Sequence, residues 1–218
     1  MPLILQPATE ADAVRGAQIE KAAYASNPFN STLFPGPFPE PASGQNPRAE
    51  EMTRLRRDDP SVRWLKVVDT DLGATEDNSQ MIGFAQWNIN DGSELPLQRR
   101  TFGPGCNVEA CEALFGGLYE LRVKHYTSVK HVHLTALHVH PDHQKRGAGK
   151  MLVMWGIEEG KKLGLPVFLE SSEAGHSLYE RCGFRDTDKH VVDFTKWGKP
   201  GENVTCFMAL KLDESAVA

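Results

Sequence analysis

A single α+β domain, with one mixed sheet layered between helices, is the fold class this sequence predicts, and three observations predict it. Strand-length apolar runs alternate with helix-like segments along the chain. Two early runs, "VRWLKVVD" and "MIGFAQWNI", are joined by the polar turn "TDLGATEDNSQ", which reads as an antiparallel hairpin with a long tip. A later run, "HVHLTALHV", is followed by a helix and then the short strand "PVFLE", a β-α-β unit whose two strands must be parallel. At 218 residues the chain can bury one substantial core, and nothing in it demands a second domain.

Each element has a local reason. "LILQPA" is a short apolar strand, and Thr9, Glu10 and Asp12 after it supply a cap and an acidic first turn for a helix to about Ala23. Residues 26–46 carry five prolines and two glycines, too many for a regular element, yet Phe29, Leu33, Phe34 and Phe38 are interleaved. An apolar loop of that length suits a substrate-covering lid or pocket wall. Pro47 fits the first turn of a second helix, which Asp59 and Pro60 close. Residues 90–126 read as an insertion: a loose stretch with Gly92, Pro96, Gly103 and Pro104, then a helix capped by Asn107 and running to about Tyr126. The helices "GKMLVMWGIEEGKKLG" and "EAGHSLYERCGF" flank the short strand, and "VTCFMALKL" is the last strand.

Composition narrows the function. Hydrophobic residues make up 40% and charged residues 24%, and no apolar run approaches the roughly 20 residues of a membrane helix. A net charge of −5 argues against a general nucleic-acid binder, so any phosphate site must be local. The N-terminus "MPLILQPATEADA" lacks the basic flank of a secretory signal, so a cytoplasmic or nuclear location is expected. Cys106, Cys111, Cys182 and Cys206 form no C-x-x-C pair and read as free thiols. A monomer or a homodimer is expected.

Residues 137–150, "LHVHPDHQKRGAGK", carry two overlapping patterns. His138, His140, Asp142 and His143 have the H-x-H-x-D-H spacing of a zinc hydrolase. That class needs further ligands downstream, and only His176 and His190 remain among the histidines, so no metal is expected here. Gln144-Lys145-Arg146-Gly147-Ala148-Gly149, by contrast, is a basic, glycine-rich turn opening a helix, which aims unpaired N–H groups at an anion. It is not a Walker A loop, because position 144 is Gln and position 151 is Met. It is not a dinucleotide fingerprint either, because the third glycine would fall on Leu152.

What remains, Q-x-x-G-x-G after a strand, resembles motif A of the GNAT superfamily of acyl-CoA-dependent N-acetyltransferases. "LESSEAGHSLYERCGF" resembles that family's motif B, ending in Leu178-Tyr179-Glu180-Arg181-Cys182-Gly183-Phe184. The resemblance implies a mixed central sheet with splayed parallel strands flanked by helices, and acetyl-CoA as the cosubstrate. It implies that the backbone from Lys145 to Lys150, including Gly147, Ala148 and Gly149, binds the pyrophosphate, with charge added by Lys145 and Arg146. It places the pantetheine arm on the main chain of Leu137, His138 and Val139, where an N–H can also stabilise an oxyanion. Gln144 and Lys150 fall within the same cofactor-binding run. Many members have Asn where this chain has Ser172, whose hydroxyl has less reach toward that arm.

The same resemblance implies direct transfer of an acetyl group to a primary amine in a ternary complex. Tyr179 stands where many members place the acid for the departing thiolate. His133 stands where some, including the arylalkylamine type, carry a base; His138 is the reserve. Cys106 and Cys182 have no neighbouring His in sequence to activate them as acyl carriers. Phe29, Phe34, Phe38 and Trp87 suggest an apolar acceptor wall, and Asp91, Glu94, Glu109 and Glu112 an attraction for a cationic amine. A small-molecule amine is favoured as acceptor, with a protein lysine or N-terminus as the alternative. A zinc hydrolase and a non-catalytic coenzyme A binding module are the remaining classes.

Overall fold

The computed structural model describes residues 2–92, 96–127, 129–199 and 201–210. Glu94 and the predicted strand end at residues 211–212 lie outside them. The elements, in order, are β1 (Leu3–Pro7), α1 (Ala13–Tyr24), α2 (Asn30–Leu33), α3 (Pro47–Asp58), β2 (Val62–Asp69), β3 (Met81–Asn90), α4 (Val108–Cys111), α5 (Gly117–Tyr126), β4 (His131–Val139), α6 (Ala148–Leu163), β5 (Val167–Ser172), α7 (Glu173–Arg181), β6 (Arg185–Asp193) and β7 (Glu202–Leu210). The seven strands form one sheet in the order β1-β2-β3-β4-β5-β7-β6. Among the described residues only β4 and β5 pair in parallel, as strands joined by a crossover through α6 do.

Two cores hold the sheet between its helices. On one face Trp87, Leu134, Leu152, Val153, Ile157, Leu169 and Met208 pack under α6. On the other, Trp64 and Phe84 meet Ala17 and Ile19 of α1 and Met52 of α3. A third cluster joins Leu33, Ala110, Cys111, Leu114, Val192 and Phe194, with Phe29 and Phe34 against it. The proline-rich loop is thereby seated on the insertion: Asn107 N–H donates to the Leu33 carbonyl and Gly36 N–H to that of Gly105, both at 2.9 Å.

Two departures from the sequence expectation stand out. Residues 185–193, to which the sequence assigns no element, form β6, whose polar, mostly exposed residues suit an edge strand. The helix after Asn107 is interrupted by a π segment at Glu112–Gly116. His190 of β6 inserts there, its Nε2–H donating to the Ala113 carbonyl at 2.9 Å. A Cβ on Gly117 would lie 2.1 Å from the His190 ring, so the glycine makes the insertion sterically possible.

Candidate active site

The ladder between β4 and β5 is short. It pairs Val132, His133 and Leu134 with Val167, Phe168 and Leu169 and then stops, so β4 from Thr135 onward and β5 from Glu170 onward diverge. The resulting mouth exposes main-chain groups of Leu137, His138 and Val139 toward β5 with no strand partner on that side among the described residues.

A β-bulge shapes the same place. Gln86 pairs with Ala136 and Trp87 with Leu134, which leaves Thr135 as an extra residue in β4. Strand alternation is reset there: Leu134 and Leu137 both face α6, while His133 and His138 both face the α1 side. Without the bulge an odd- and an even-numbered histidine would lie on opposite faces.

Next to the mouth, the turn before α6 has the geometry of an anion cradle. Lys145 at φ 58° and Gly147 at φ 98° are both left-handed, and Gly147 is the residue preceding the helix. Alternating left-handed backbone of this kind turns successive N–H groups inward. Those of Ala148, Gly149 and Lys150 lie in the opening turn of α6, where no preceding helical carbonyl can accept them. A Cβ on Gly147 would meet nothing within 4 Å, so the space before it is open. On Gly149 a Cβ would come 3.1 Å from Leu178, which means this glycine sets how closely α6 approaches α7. These features fit a pyrophosphate.

Arg146 is oriented otherwise than its basic sequence context suggests. Its guanidinium donates to Asp69 at 2.6 Å and to His143 Nδ1 at 3.0 Å, which ties the cradle to the end of β2. That bond, followed by burial in the opposite sense, accounts for the lowered pKa of the Asp69 carboxyl. Gln144 donates to the Val139 carbonyl at 3.2 Å and so braces the strand end.

Tyr179 of α7 is buried, with its ring edge-on to Phe184 at 6.2 Å and folded back over Gly175, where a Cβ would lie 2.9 Å from it. Burial first, and Tyr24 and Cys182 after it, raise its pKa, so it stays protonated at neutral pH. Ser172 ends β5 at the mouth, exposed, and makes no capping hydrogen bond to α7.

His133 does not stand alone. Its Nε2 lies 3.0 Å from Glu170 Oε2, and Glu170 in turn accepts two bonds from Arg122, both at 2.9 Å. Burial pushes the Glu170 carboxyl up, but Arg122 and then His133 outweigh it and hold the group well below the usual carboxylate range. With Nε2–H donating to a carboxylate, Nδ1 is left as the acceptor nitrogen, and among the described residues it has no hydrogen-bond partner. Tyr126 packs beside this group, its ring stacked on Phe168 at 4.9 Å and 5.2 Å from that of His133. Sequence spacing signals neither Glu170 nor Arg122, which are 48 residues apart.

His138 is also buried, edge-on to Tyr24 at 5.1 Å, and burial lowers its pKa, which keeps it neutral. The H-x-H-x-D-H donors do not converge as a set of four: His138 faces α1, while His140 Nδ1 is 3.7 Å from Asp142 and His143, its ring 5.6 Å from that of His140, accepts from Arg146. Burial raises the Cys182 thiol, the opposite of what an acyl carrier needs. The expected acceptor wall needs correcting as well. Trp87 is fully buried under α6 with its Nε1–H on the Leu152 carbonyl, on the face opposite His133 and His138; Phe29 and Phe34 pack in the third cluster, and Phe38 is half-exposed against Gly105. Glu109 is bound by Lys196 and Trp197, and Glu112 by Arg99.

Against this geometry, the acetyltransferase (GNAT) family matches residues 31–184. The chain belongs to this family of acetyl-CoA-dependent acyltransferases. A relative named "Probable acyltransferase SID5", from Ajellomyces capsulatus, is 43% identical over 49 residues, which is 22% of this chain and 36% of that protein. This chain thus matches about a third of that relative's length. Among solved structures, a histone acetyltransferase HPA2-related protein from Corynebacterium glutamicum superposes with a TM-score of 0.58 at 17% identity over 98% of this chain and 99% of its own. The protein yncA from Salmonella typhimurium, solved with its cofactor acetyl-CoA, gives 0.55 at 17% identity over 97% and 95%. The ribosomal-protein-S18-alanine N-acetyltransferase of Escherichia coli gives 0.55 at 15% identity over 100% and 99%. These likenesses are of fold. No helix among the described residues is long and apolar enough to cross a membrane.

Proposed function

We propose that this chain is an N-acetyltransferase that moves an acetyl group from acetyl-CoA to a primary amine by direct attack. The observation that supports this reading is the early end of the β4–β5 ladder, with the cradle following β4, Tyr179 on the helix that follows β5, and His133 in the last paired stretch of β4 bonded to Glu170 at the point where β5 leaves the ladder. The cradle N–H groups and Lys145 hold the pyrophosphate, while Arg146 positions the loop through Asp69. Main-chain groups of Leu137 to Val139 pair with the pantetheine arm, and Ser172 faces it from β5.

His133 Nδ1 takes a proton from the ammonium, and Glu170 fixes the tautomer and stabilises the imidazolium, as the aspartate does in a Ser-His-Asp triad. His138, neutral and on the same face, lines the path beside Tyr24. Tyr179 keeps its O–H at neutral pH and donates to the departing sulfur. A free thiol has a pKa of about 8.5 and a phenol about 10, so hydrogen bonding to the developing thiolate, with the proton finally supplied by water, is the favoured course.

A small-molecule amine is the favoured acceptor over a protein lysine or N-terminus. What supports this choice is that the loop after Tyr24 is an ordered segment, anchored onto the insertion through the Asn107–Leu33 and Gly36–Gly105 hydrogen bonds and the third cluster. The test is a panel of alkylamines, arylalkylamines, lysine peptides and free N-terminal peptides incubated with acetyl-CoA and read by thiol release. Release with small amines alone supports the reading, release with peptides alone replaces the acceptor, and coenzyme A binding without release for any amine leaves a binding module.

A further inference from the structure

Away from the mouth, on the outer side of α7, three side chains from three elements converge. His176 of α7, Asp186 of β6 and Cys206 of β7 bring an imidazole nitrogen, a carboxylate oxygen and a thiol sulfur within 4.8 Å of one another. The backbone arranges this. Asp186 pairs with Met208 and Asp188 with Phe207, so Thr187 is an extra residue in β6 and the alternation of that strand is reset. Asp188 therefore turns to Lys124 and His125 on the α5 side, while Asp186 turns to the α7 side, diagonal to Cys206. In an unbroken strand the two aspartates would share one face.

The imidazole is oriented as a ligand is. His176 Nε2 points into the cluster, 2.8 Å from Asp186 Oδ1, and Nδ1 faces Glu180 Oε2 at 3.5 Å, one helical turn along. A carboxylate behind the second nitrogen is the usual support of a metal-bound histidine. We propose that His176, Asp186 and Cys206 form a binding site for a divalent cation of the zinc type, with water as fourth ligand and Glu180 as the group that orients His176. Nitrogen, oxygen and sulfur donors together suit zinc better than magnesium or calcium. Around a tetrahedral zinc the donors stand roughly 3.3–3.7 Å apart, so the present separations need adjustments on the order of 1 Å, within reach of side-chain rotation. Asp186 is exposed and gives the ion a way in.

On binding, Cys206 releases its thiol proton and His176 the proton it shares with Asp186, both to solvent, so affinity rises with pH. The ion would staple α7 to the β6–β7 edge and hold the helix whose inner face carries Tyr179. The site does not depend on the transfer reading.

The full chain, stripped with a chelator and dialysed, is titrated with Zn²⁺ against a chromophoric chelator, and with Co²⁺ followed by absorption. The expected result is one ion per chain, a thiolate-to-cobalt charge-transfer band, and a higher melting temperature with Zn²⁺. Cys206→Ser should abolish the band, and Cys206→Ser or His176→Ala should each weaken Zn²⁺ binding by about a hundredfold or more. Glu180→Gln should weaken it by about tenfold to a hundredfold. Asp186→Asn, which keeps shape and hydrogen bonding, gives an independent reading if either of the first two disturbs the fold. His140→Ala with His143→Ala should leave Zn²⁺ stoichiometry and affinity unchanged. Absence of stoichiometric Zn²⁺, or binding that survives both Cys206→Ser and His176→Ala, overturns the proposal.

Discussion

Replacing Glu170 by Gln removes one charge from the buried Arg122–Glu170–His133 group while keeping its size. The Glu170 side chain is 6% exposed and that of Arg122 28%. The substitution leaves a guanidinium facing a neutral amide that accepts at only one atom, in place of two bonds of 2.9 Å. Removing one partner of a buried pair costs about 3–5 kcal/mol, and partial hydration of Arg122 points to the lower end, about 3 kcal/mol. In a domain of 218 residues each kcal/mol is about 2–4 °C, so the melting temperature should fall by about 6–12 °C. The pH dependence carries a sign as well. Glu170 titrates below its unfolded value, so its contribution is complete above the ordinary carboxylate range and is lost as pH falls through the folded value. Glu170→Gln should lack that acid-dependent loss. Urea unfolding at pH 7 and at pH 4 reads both, and Arg122→Met in the Glu170→Gln background tests the coupling. A loss below about 1 kcal/mol, or additive losses at the two positions, would refute the claim that this pair positions His133.

Tyr179→Phe keeps the ring over Gly175 and deletes the O–H, so acetyl-CoA affinity should hold while turnover falls roughly a hundredfold to a thousandfold, as for loss of one donor to a developing anion, in single-turnover assays. Gly149→Val drives methyl groups into Leu178 and should destabilise by about 1–3 kcal/mol in urea titration, whereas Gly147→Val strains a residue at φ 98° and fills the open cradle, and should also abolish the thermal shift with coenzyme A. Because burial lowers the His138 pKa, the unfolded chain takes up that proton first, and wild-type stability should fall as pH drops below about 6.5 and level off beneath the folded value. His138→Gln should flatten that part of the stability profile by up to one proton.

The cradle and α7 were legible because they are local: Gln144 to Gly149 and Leu178 to Phe184 each encode a turn and the helix next to it. The splay of β4 from β5 followed from the resemblance those motifs carry. The partners of His133 were not legible, because Arg122 and Glu170 meet only through tertiary packing and no period relates them. Nor was the Thr135 bulge, since a Thr inside an apolar, β-branched run reads as ordinary strand, yet it decides that His133 and His138 share a face. Trp87 was misplaced for the same reason in reverse: a large aromatic in a strand says nothing of which face it takes until the neighbouring strands are paired. β6 was missed because an edge strand needs few apolar residues, and its charges read as loop.

The central claim, acetyl transfer at the β4–β5 mouth, is tested most directly by following the label. Acetyl-CoA carrying ¹³C in its carbonyl is incubated with the protein and the amine panel, and products are read by mass spectrometry. The account predicts labelled amide in a one-to-one ratio with released coenzyme A, no labelled protein intermediate, and slower formation with Tyr179→Phe. Coenzyme A that binds at the mouth while the label stays on the thioester with every small amine, lysine peptide and free N-terminus would contradict it.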